Sequence, residues 1–452
     1  MNLSTCIIHY TKSDSLITYM TPKLMKELNL ENNKKKRIEI GKKSVTMLIR
    51  RVKKTGKHIY FPSKMRQTIN LPNLKKITIL NTSKELKVGP IIGVITKERK
   101  PLSSGSSKYL YNILSSGNSN GICYLFHAKD INWNNNTIRG YTLNSNKRAY
   151  QRSMPFPDVI YNRILSRKLE NHASIKEIKK KFLYKNIPIF NWDFLDKWDV
   201  YRMLEEESTV QSYLPETIIK PTSNEIKELL NRHKTVYLKP TKGCFGIGIY
   251  RISKIKNMYY LQFRKKNVNV LYRFSKFNRM VSLINRRGGY KNYLAQQGIE
   301  LLEIKKSPID FRFHLTKNKD GDWVVGGIGA KRAGKGSVTT HLNSGGELLT
   351  PQNVLANTTA IKDTNNFMDK AKETTIKIAE AIDRNYSYFL GEIGFDIGID
   401  KNHKVWMFEA NAKPGRTIFK HPQLKKQGST VIHNLIDYCH FLSGFTSSGG
   451  ID

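Results

Sequence analysis

The sequence predicts a multidomain protein of mixed class: a mostly-β front domain, a small α/β layer, and a larger α+β domain in the second half. Three observations predict this. Residues 1–90 break into short apolar runs punctuated by Lys, Asn, Gly and Pro, as strands and turns do. From Gly89 the run GPIIGVIT is continuously apolar, which suits a strand buried on both faces. From residue 206 to residue 446, strand-like and helix-like periods alternate again.

In the front domain (1–90), CIIHY, KRIEIG, KSVTMLIRRV, KHIYFP and KKITILN read as strands, with a short helix in TPKLMKELNL. The layer (91–205) opens with GPIIGVIT. A Ser/Gly loop, the helical KYLYNILSS, the strand GICYLFH, a β-rich excursion to Leu143 and the strand PDVIYNRI follow. The third unit (206–446) begins with a helix whose N-cap falls at Thr222, Ser223 or Asn224. TVYLKP, GIYRI, KNYLAQQGI, DFRFHLT and WVVGGIGAKR read as strands, and FMDKAKETTIKIAEAIDRN as a long amphipathic helix. Two more strands, GFDIGID and VWMFEAN, precede a final helix, STVIHNLIDYCHFL, and residues 447–452 read as a tail.

Composition narrows the class. With 39% hydrophobic residues, the 452-residue chain has material for several cores. It has no apolar run of about 18 residues, the minimum for a membrane-spanning helix. The opening MNLSTCIIHYTKSD lacks the basic and apolar regions of a secretory signal. The four cysteines show no CxxC pair or finger spacing, so the expectation is a cytoplasmic protein without a disulfide framework. The net charge of +41 has two readings, a polyanionic partner or a compositional bias that also enriches Asn and Ile. The basic residues are dispersed and no nucleic-acid-binding motif accompanies them, so nucleic acid is not the expected partner.

In GFDIGID, the two-residue strand period turns Asp396 away from Phe395, Ile397 and Ile399. After a short turn, Glu409 and Asn411 share a face, and antiparallel pairing would gather all three. Hard oxygen ligands favour Mg²⁺, which usually holds phosphates as well. A buried hydrogen-bonded turn or a surface carboxylate pair reads the same residues without an ion. Lys239 ends a strand and precedes a loop with Gly243, Gly246 and Gly248, where free N–H groups can cradle phosphate; an ordinary hairpin is the alternative. Asp310 and Arg312 share a strand face, and Arg332 ends the next strand. Arginine's fork suits carboxylate or phosphate oxygens, or a plain salt bridge.

This order of lysine, glycine loop, DxR, Arg, Asp and ExN resembles the ATP-grasp superfamily. Within it, YLKP, QQGIEL and the GEIGFDIGID…W…FEAN…PG run look most like the YheC/YheD-type endospore coat-associated proteins. The resemblance covers residues 205–445 and implies a fold of two α+β subdomains sandwiching ATP. It assigns ATP phosphates to Lys239 and to Lys242–Gly248, including Gly243, Gly246 and Gly248. It assigns adenine to the strand at Gln296, Gln297, Gly298 and Ile299, and two Mg²⁺ ions to Asp396, Glu409 and Asn411. Arg312, Arg332 and Arg416 are its candidate catalytic cations. In TTHLNSGG, His341 stands where the superfamily commonly has asparagine, which makes His341 a further candidate and puts acceptor placement in question.

The implied activity is ATP-dependent ligation of a carboxylate to an amine or thiol through an acyl phosphate. An acidic peptide or protein is the expected substrate, with a possible link to the spore coat. The alternatives are a kinase using the same site on a hydroxyl acceptor, and a non-catalytic ATP-binding coat or scaffold protein.

Overall fold

The computed structural model describes residues 2–65, 71–72, 74–103, 107–144, 146–241, 247–265, 268–334, 336–340, 345–358 and 364–446. In the front domain, seven strands close into a barrel: β1 (Asn2–Thr11), β2 (Ile17–Met20), β3 (Lys34–Ile40), β4 (Lys43–Arg51), β5 (His58–Pro62), β6 (Lys76–Asn81) and β7 (Leu86–Gly89). Their order is β1-β5-β2-β4-β3-β7-β6, and β6 returns to β1 with Asn2 opposite Asn81. The sequence reading has five of these strands and no closure. The other two, β2 and β7, are four residues long, too short to show a period. The expected short helix runs over Pro22–Glu27, with Pro at its first turn, and buries Leu24 and Met25.

The layer's parallel core is β8 (Ile91–Thr96), β9 (Ile122–His127), β13 (Val159–Arg163) and β14 (Ile189–Phe190). An antiparallel ribbon of β10 (Ile131–Asn132), β11 (Thr137–Leu143) and β12 (Ala149–Pro155) extends one edge. Strand β8 explains its own uninterrupted apolarity. Ile91 and Ile95 join the core shared with the barrel, while Ile92 and Val94 pack toward the helices Ser107–Gly117 and Lys425–Leu442.

Two further six-stranded sheets build the remainder. The first comprises β15 (Thr217–Ile219), β16 (Thr235–Pro240), β17 (Tyr250–Ile255), β18 (Met258–Lys265), β19 (Val268–Phe274) and β20 (Tyr293–Gln297). Helices Ser223–His233 and Phe277–Arg286 back it through Ile226, Leu230, Met280 and Ile284. Thr222 and Glu225 form a reciprocal capping box that fixes where the first of these helices starts.

The second sheet comprises β21 (Glu303–Ile304), β22 (Ser307–Lys317), β23 (Trp323–Arg332), β24 (Glu347–Leu349), β25 (Glu392–Ile399) and β26 (Val405–Asn411). Its apolar face, with Ile309, Phe311, Phe313 and Leu315, shares a core with helices Lys197–Glu205 and Thr364–Asn385. Its other face is polar. The Lys239 ammonium lies 5.4 Å from the Phe408 ring, so the ends of the two sheets meet across a cleft. Among the described residues, no helix is long and apolar enough to cross a membrane.

Candidate functional site

Strand register assembles the polar face. Asp396 lies opposite Glu409 on β26 and opposite Arg312 on β22, and Gly394 lies opposite Asn411. Directly opposed residues point to one side of a sheet, so these groups share the cleft face. Arg312 grips Asp396 through Nε at 3.0 Å and Nη2 at 3.1 Å, and Lys331 adds a 2.8 Å contact. Lys331 also reaches Asp310 at 3.3 Å, and the Thr340 hydroxyl donates to Asp310. Burial pushes the Asp310 carboxyl up, against the pull of Lys331. Burial alone would lower the Lys331 pKa, but Asp310 and Asp396 hold it above its ordinary value.

Glu409 pairs with Lys197 at 3.3 Å, from the first turn of the Lys197–Glu205 helix. Opposite it, half-buried Lys239 donates to Gln296, whose Nε2 donates to Thr217 at 3.1 Å. Desolvation pushes the Lys239 ammonium down to about 8, although Glu409 and Asp396 favour its charged form. The cleft thus confronts a lysine readily relieved by an anion with a floor of carboxylates. The donor set of Asp396, Glu409 and Asn411 is two carboxylates and a carboxamide on one face. Such a set fits Mg²⁺, whose remaining positions phosphate and water oxygens normally fill.

The expected adenine segment is partly committed elsewhere. Gln297 N–H donates to the Glu216 carbonyl at 2.8 Å, and Gly298 N–H to the Thr235 carbonyl at 2.9 Å. A Cβ on Gly298 would lie 2.5 Å from the Thr235 methyl, so glycine permits this close crossing. Ile299 follows directly, outside the ladder of β20. At the other end of the glycine loop, Gly248 has φ +77°, a left-handed conformation suited to glycine. Lys242, Gly243, Gly246 and His341 lie outside the described residues.

Arg332 is not brought to the cleft face. It is opposite Ile309, on the core side of the sheet, and pairs with Glu347 at 2.5 Å. Its neighbour Lys331 occupies the inward position instead. Arg416 is likewise set apart from Asp396. It donates to Glu392 at 2.9 Å and stacks on Tyr109, with 3.9 Å between the guanidinium carbon and the ring centre.

Two buried ionic clusters behind the site escaped sequence reasoning. Glu392, fully buried, accepts from Arg163 at 3.0 Å, from Arg416, and from the Tyr161 hydroxyl. Its second oxygen faces His314 Nε2 at 3.1 Å. Burial would raise its pKa, but Arg416 and Arg163 hold it down at about 2. Burial meanwhile lowers His314 to about 4, so the imidazole is neutral at pH 7. In the second cluster, Glu170 binds Lys179 at 2.7 Å and Lys413, and Asn162 donates to it at 2.8 Å. Asn191 donates to the carbonyls of Glu392 and Ala412. These contacts tie the α/β layer to the loop that follows Asn411. The signal for Glu392 was present: the two-residue period runs back from Asp396 through Gly394 to Glu392. Lys197, Glu170 and Lys179 had no local signal.

A family model described as YheC/D-like ATP-grasp matches residues 186–442. The endospore coat-associated protein YheD of Bacillus subtilis (strain 168) is 32% identical over 384 residues, covering 82% of this chain and 83% of the relative. YheC of the same strain is 26% identical over 280 residues, covering 58% of this chain and 72% of that protein. Among solved structures, the D-alanine-D-alanine ligase from Coxiella burnetii aligns with a TM-score of 0.40 and 11% identity, over 77% of this chain and 96% of that one. With a matching family model across both sheets and a relative alike over most of its length, the chain belongs to the YheC/D-like ATP-grasp family and has the ATP-grasp fold.

Proposed function

We propose that the protein is a Mg-ATP-dependent ligase that joins a carboxylate to an amine or thiol through an acyl phosphate. The observation that carries this reading is the cleft itself: Lys239 on one sheet feels Glu409 and Asp396 on the other, and register puts Asn411 on the same face as those two carboxylates. In the first step, a substrate carboxylate oxygen attacks the γ-phosphorus, the bond to the bridging oxygen breaks, and ADP leaves. In the second, the acceptor attacks the acyl carbon, inorganic phosphate leaves, and the acceptor's proton passes to solvent. Lys239 supplies fixed charge against the phosphates, where the transition state spreads negative charge. Arg312 and Lys331 hold the Asp396 carboxylate in place at the cleft. Two Mg²⁺ ions held by Asp396, Glu409 and Asn411 would neutralise the transferring phosphoryl group. The segment at Gln296–Ile299 would edge the adenine, and residues 242–248 would cover the phosphates. His341, at the superfamily's usual asparagine position, would reach phosphate or acceptor.

The names of YheD and YheC support a place at the spore coat, and the net charge of +41 favours an acidic peptide or protein as substrate, met in the cytoplasm. The test is ADP release from Mg-ATP screened against amino acids, acidic peptides and coat proteins, with products weighed by mass spectrometry. Free phosphate together with a condensed product is the expected result. A phosphorylated hydroxyl acceptor without free phosphate would make the protein a kinase. Tight nucleotide binding without turnover across the panel would favour a scaffold.

A further inference from the structure

Residues 229–299 hold 16 Lys and Arg and no Asp or Glu, whereas the whole chain sets 36 carboxylates against 77 basic residues. The segment includes β16 to β20 and the helix Phe277–Arg286, so one sheet and its backing carry the sharpest excess. A bias running along the whole chain does not single out one subdomain. Such a surface repels itself unless an anion from outside answers it. Arg273, Lys276 and Arg279 are exposed there.

The same sheet ends in an open edge. Its order is β15-β20-β16-β17-β18-β19, and among the described residues β19 pairs on one side only, with β18, from Val268 to Phe274. Every second residue of an edge strand turns its N–H and C=O away from the sheet, and another strand can join that ladder. Proteins usually blunt such edges with proline, a bulge or charge. Here the register is unbroken, proline is absent, and Arg273 is the strand's one charge. Val268, Leu271 and Tyr272 are 64%, 59% and 40% exposed.

The two faces of β19 differ. Val270 lies opposite Phe263 and Tyr272 opposite Leu261, on the side backed by helices. On the other side, register leads from Leu271 through Gln262, Arg251 and Tyr237 to Gln296, the partner of Lys239. Leu271 and Arg273 therefore share the cleft face. An added strand that alternates acidic and apolar residues would match both sides, with carboxylates beside Arg273 and apolar groups beside Val270 and Tyr272. A second copy of this chain would bring a like charge to the same edge, and nucleic acid has no peptide backbone to join the ladder.

We propose that β19 binds an extended acidic segment of a partner protein by strand addition. The strand carries none of the residues assigned to nucleotide or metal, and the test needs no turnover, so this surface stands or falls apart from the ligase reading.

Fluorescence anisotropy of a dye-labelled octapeptide of alternating Glu and Val, titrated with the full chain at physiological salt, tests it. Replacing each Glu with Gln, or N-methylating the four central residues, should each weaken binding at least tenfold. Arg273→Glu should do the same with an unchanged thermal midpoint, Arg273→Lys should bind within about twofold of wild type, and so should Lys180→Glu, an equal charge change on the exposed face of the Ala173–Tyr184 helix. An N-methylated peptide that binds as well as the parent overturns strand addition. A loss in Lys180→Glu equal to that in Arg273→Glu overturns the local site in favour of net charge. An oligothymidylate of equal charge that binds more tightly, and is weakened by Arg273→Glu, makes the surface one for nucleic acid and overturns the proposal.

Discussion

Replacing Glu392 with Gln tests the junction between the α/β layer and the ATP-grasp domain. The substitution preserves volume but leaves Arg163 and Arg416 facing a neutral amide inside the protein. Two routes give the magnitude. The carboxyl is held at about 2, against an ordinary 4.5. At 1.36 kcal/mol per pKa unit, that depression corresponds to about 3 kcal/mol at neutral pH. Removing one partner of a buried ion pair costs about 3–5 kcal/mol in general. The sign follows from the depressed pKa: the stabilisation is full above the unfolded value of 4.5 and is lost as pH falls through 2. At pH 3 the wild type should retain only about 1–1.5 kcal/mol of it. Urea unfolding at pH 7 and at pH 3 reads the difference, using the fluorescence of Trp192, which stacks on Tyr388 at 4.3 Å near this junction. A variant within about 1 kcal/mol of wild type at pH 7 would refute the reasoning, because even the lower of the two routes predicts more. So would a deficit that stays constant down to pH 3.

Three other outcomes are expected. Glu409→Gln should cut Mg-ATP turnover by about 100-fold or more, with an unchanged thermal midpoint, because it removes one of two opposed carboxylates; ADP release measures it. Lys239→Ala should weaken nucleotide binding about tenfold or more in a fluorescent-ATP titration. Wild-type affinity should fall as pH rises through about 8, where the Lys239 ammonium loses its proton, and the variant should lack that fall. Gly298→Ala would set a methyl 2.5 Å from the Thr235 side chain and 2.9 Å from its carbonyl oxygen. A loss of about 1–3 kcal/mol from overpacking is expected in urea unfolding, and a smaller substitution at Thr235 should recover part of it.

What was legible in the sequence was local. The β25–β26 pair is joined by a short turn, so the alternation of GFDIGID and VWMFEAN was enough to place Asp396 beside Glu409 and Asn411. The helix starting after Thr222 carried its own boundary in the Thr222–Glu225 pair. The barrel was not legible as a barrel. Its closure depends on β1 meeting β6 and on parallel pairs such as β1–β5 and β2–β4, and pairing between distant segments leaves no periodic trace. The exchange of Arg332 for Lys331 has a different cause. Adjacent strand residues point to opposite faces, so an uncertainty of one residue at a strand end decides which cation faces the cleft. Glu170 and Lys179 were hidden for a third reason. Each looks like an ordinary charge on a polar helix, and only folding brings Lys413, more than 200 residues away, to meet them.

The helix Lys425–Leu442 has a consequence for the order in which the molecule can be made. Its Val431, Leu435, Tyr438 and Cys439 complete the face of the α/β layer formed by Ile92, Val94, Cys123 and Tyr161. During synthesis, those early strands leave the ribosome long before the helix that will cover them. Until it arrives, Leu110, Ile113 and Leu114 of the helix Ser107–Gly117 cover only part of the strip of isoleucine, valine and tyrosine, and the rest stands open to water and to other nascent chains. The barrel can cover its side of the layer at once, because every strand it needs has already emerged. Folding on the ribosome is therefore expected to proceed with one side of the layer sealed and the other waiting, and a chaperone that holds apolar strips would find its target there.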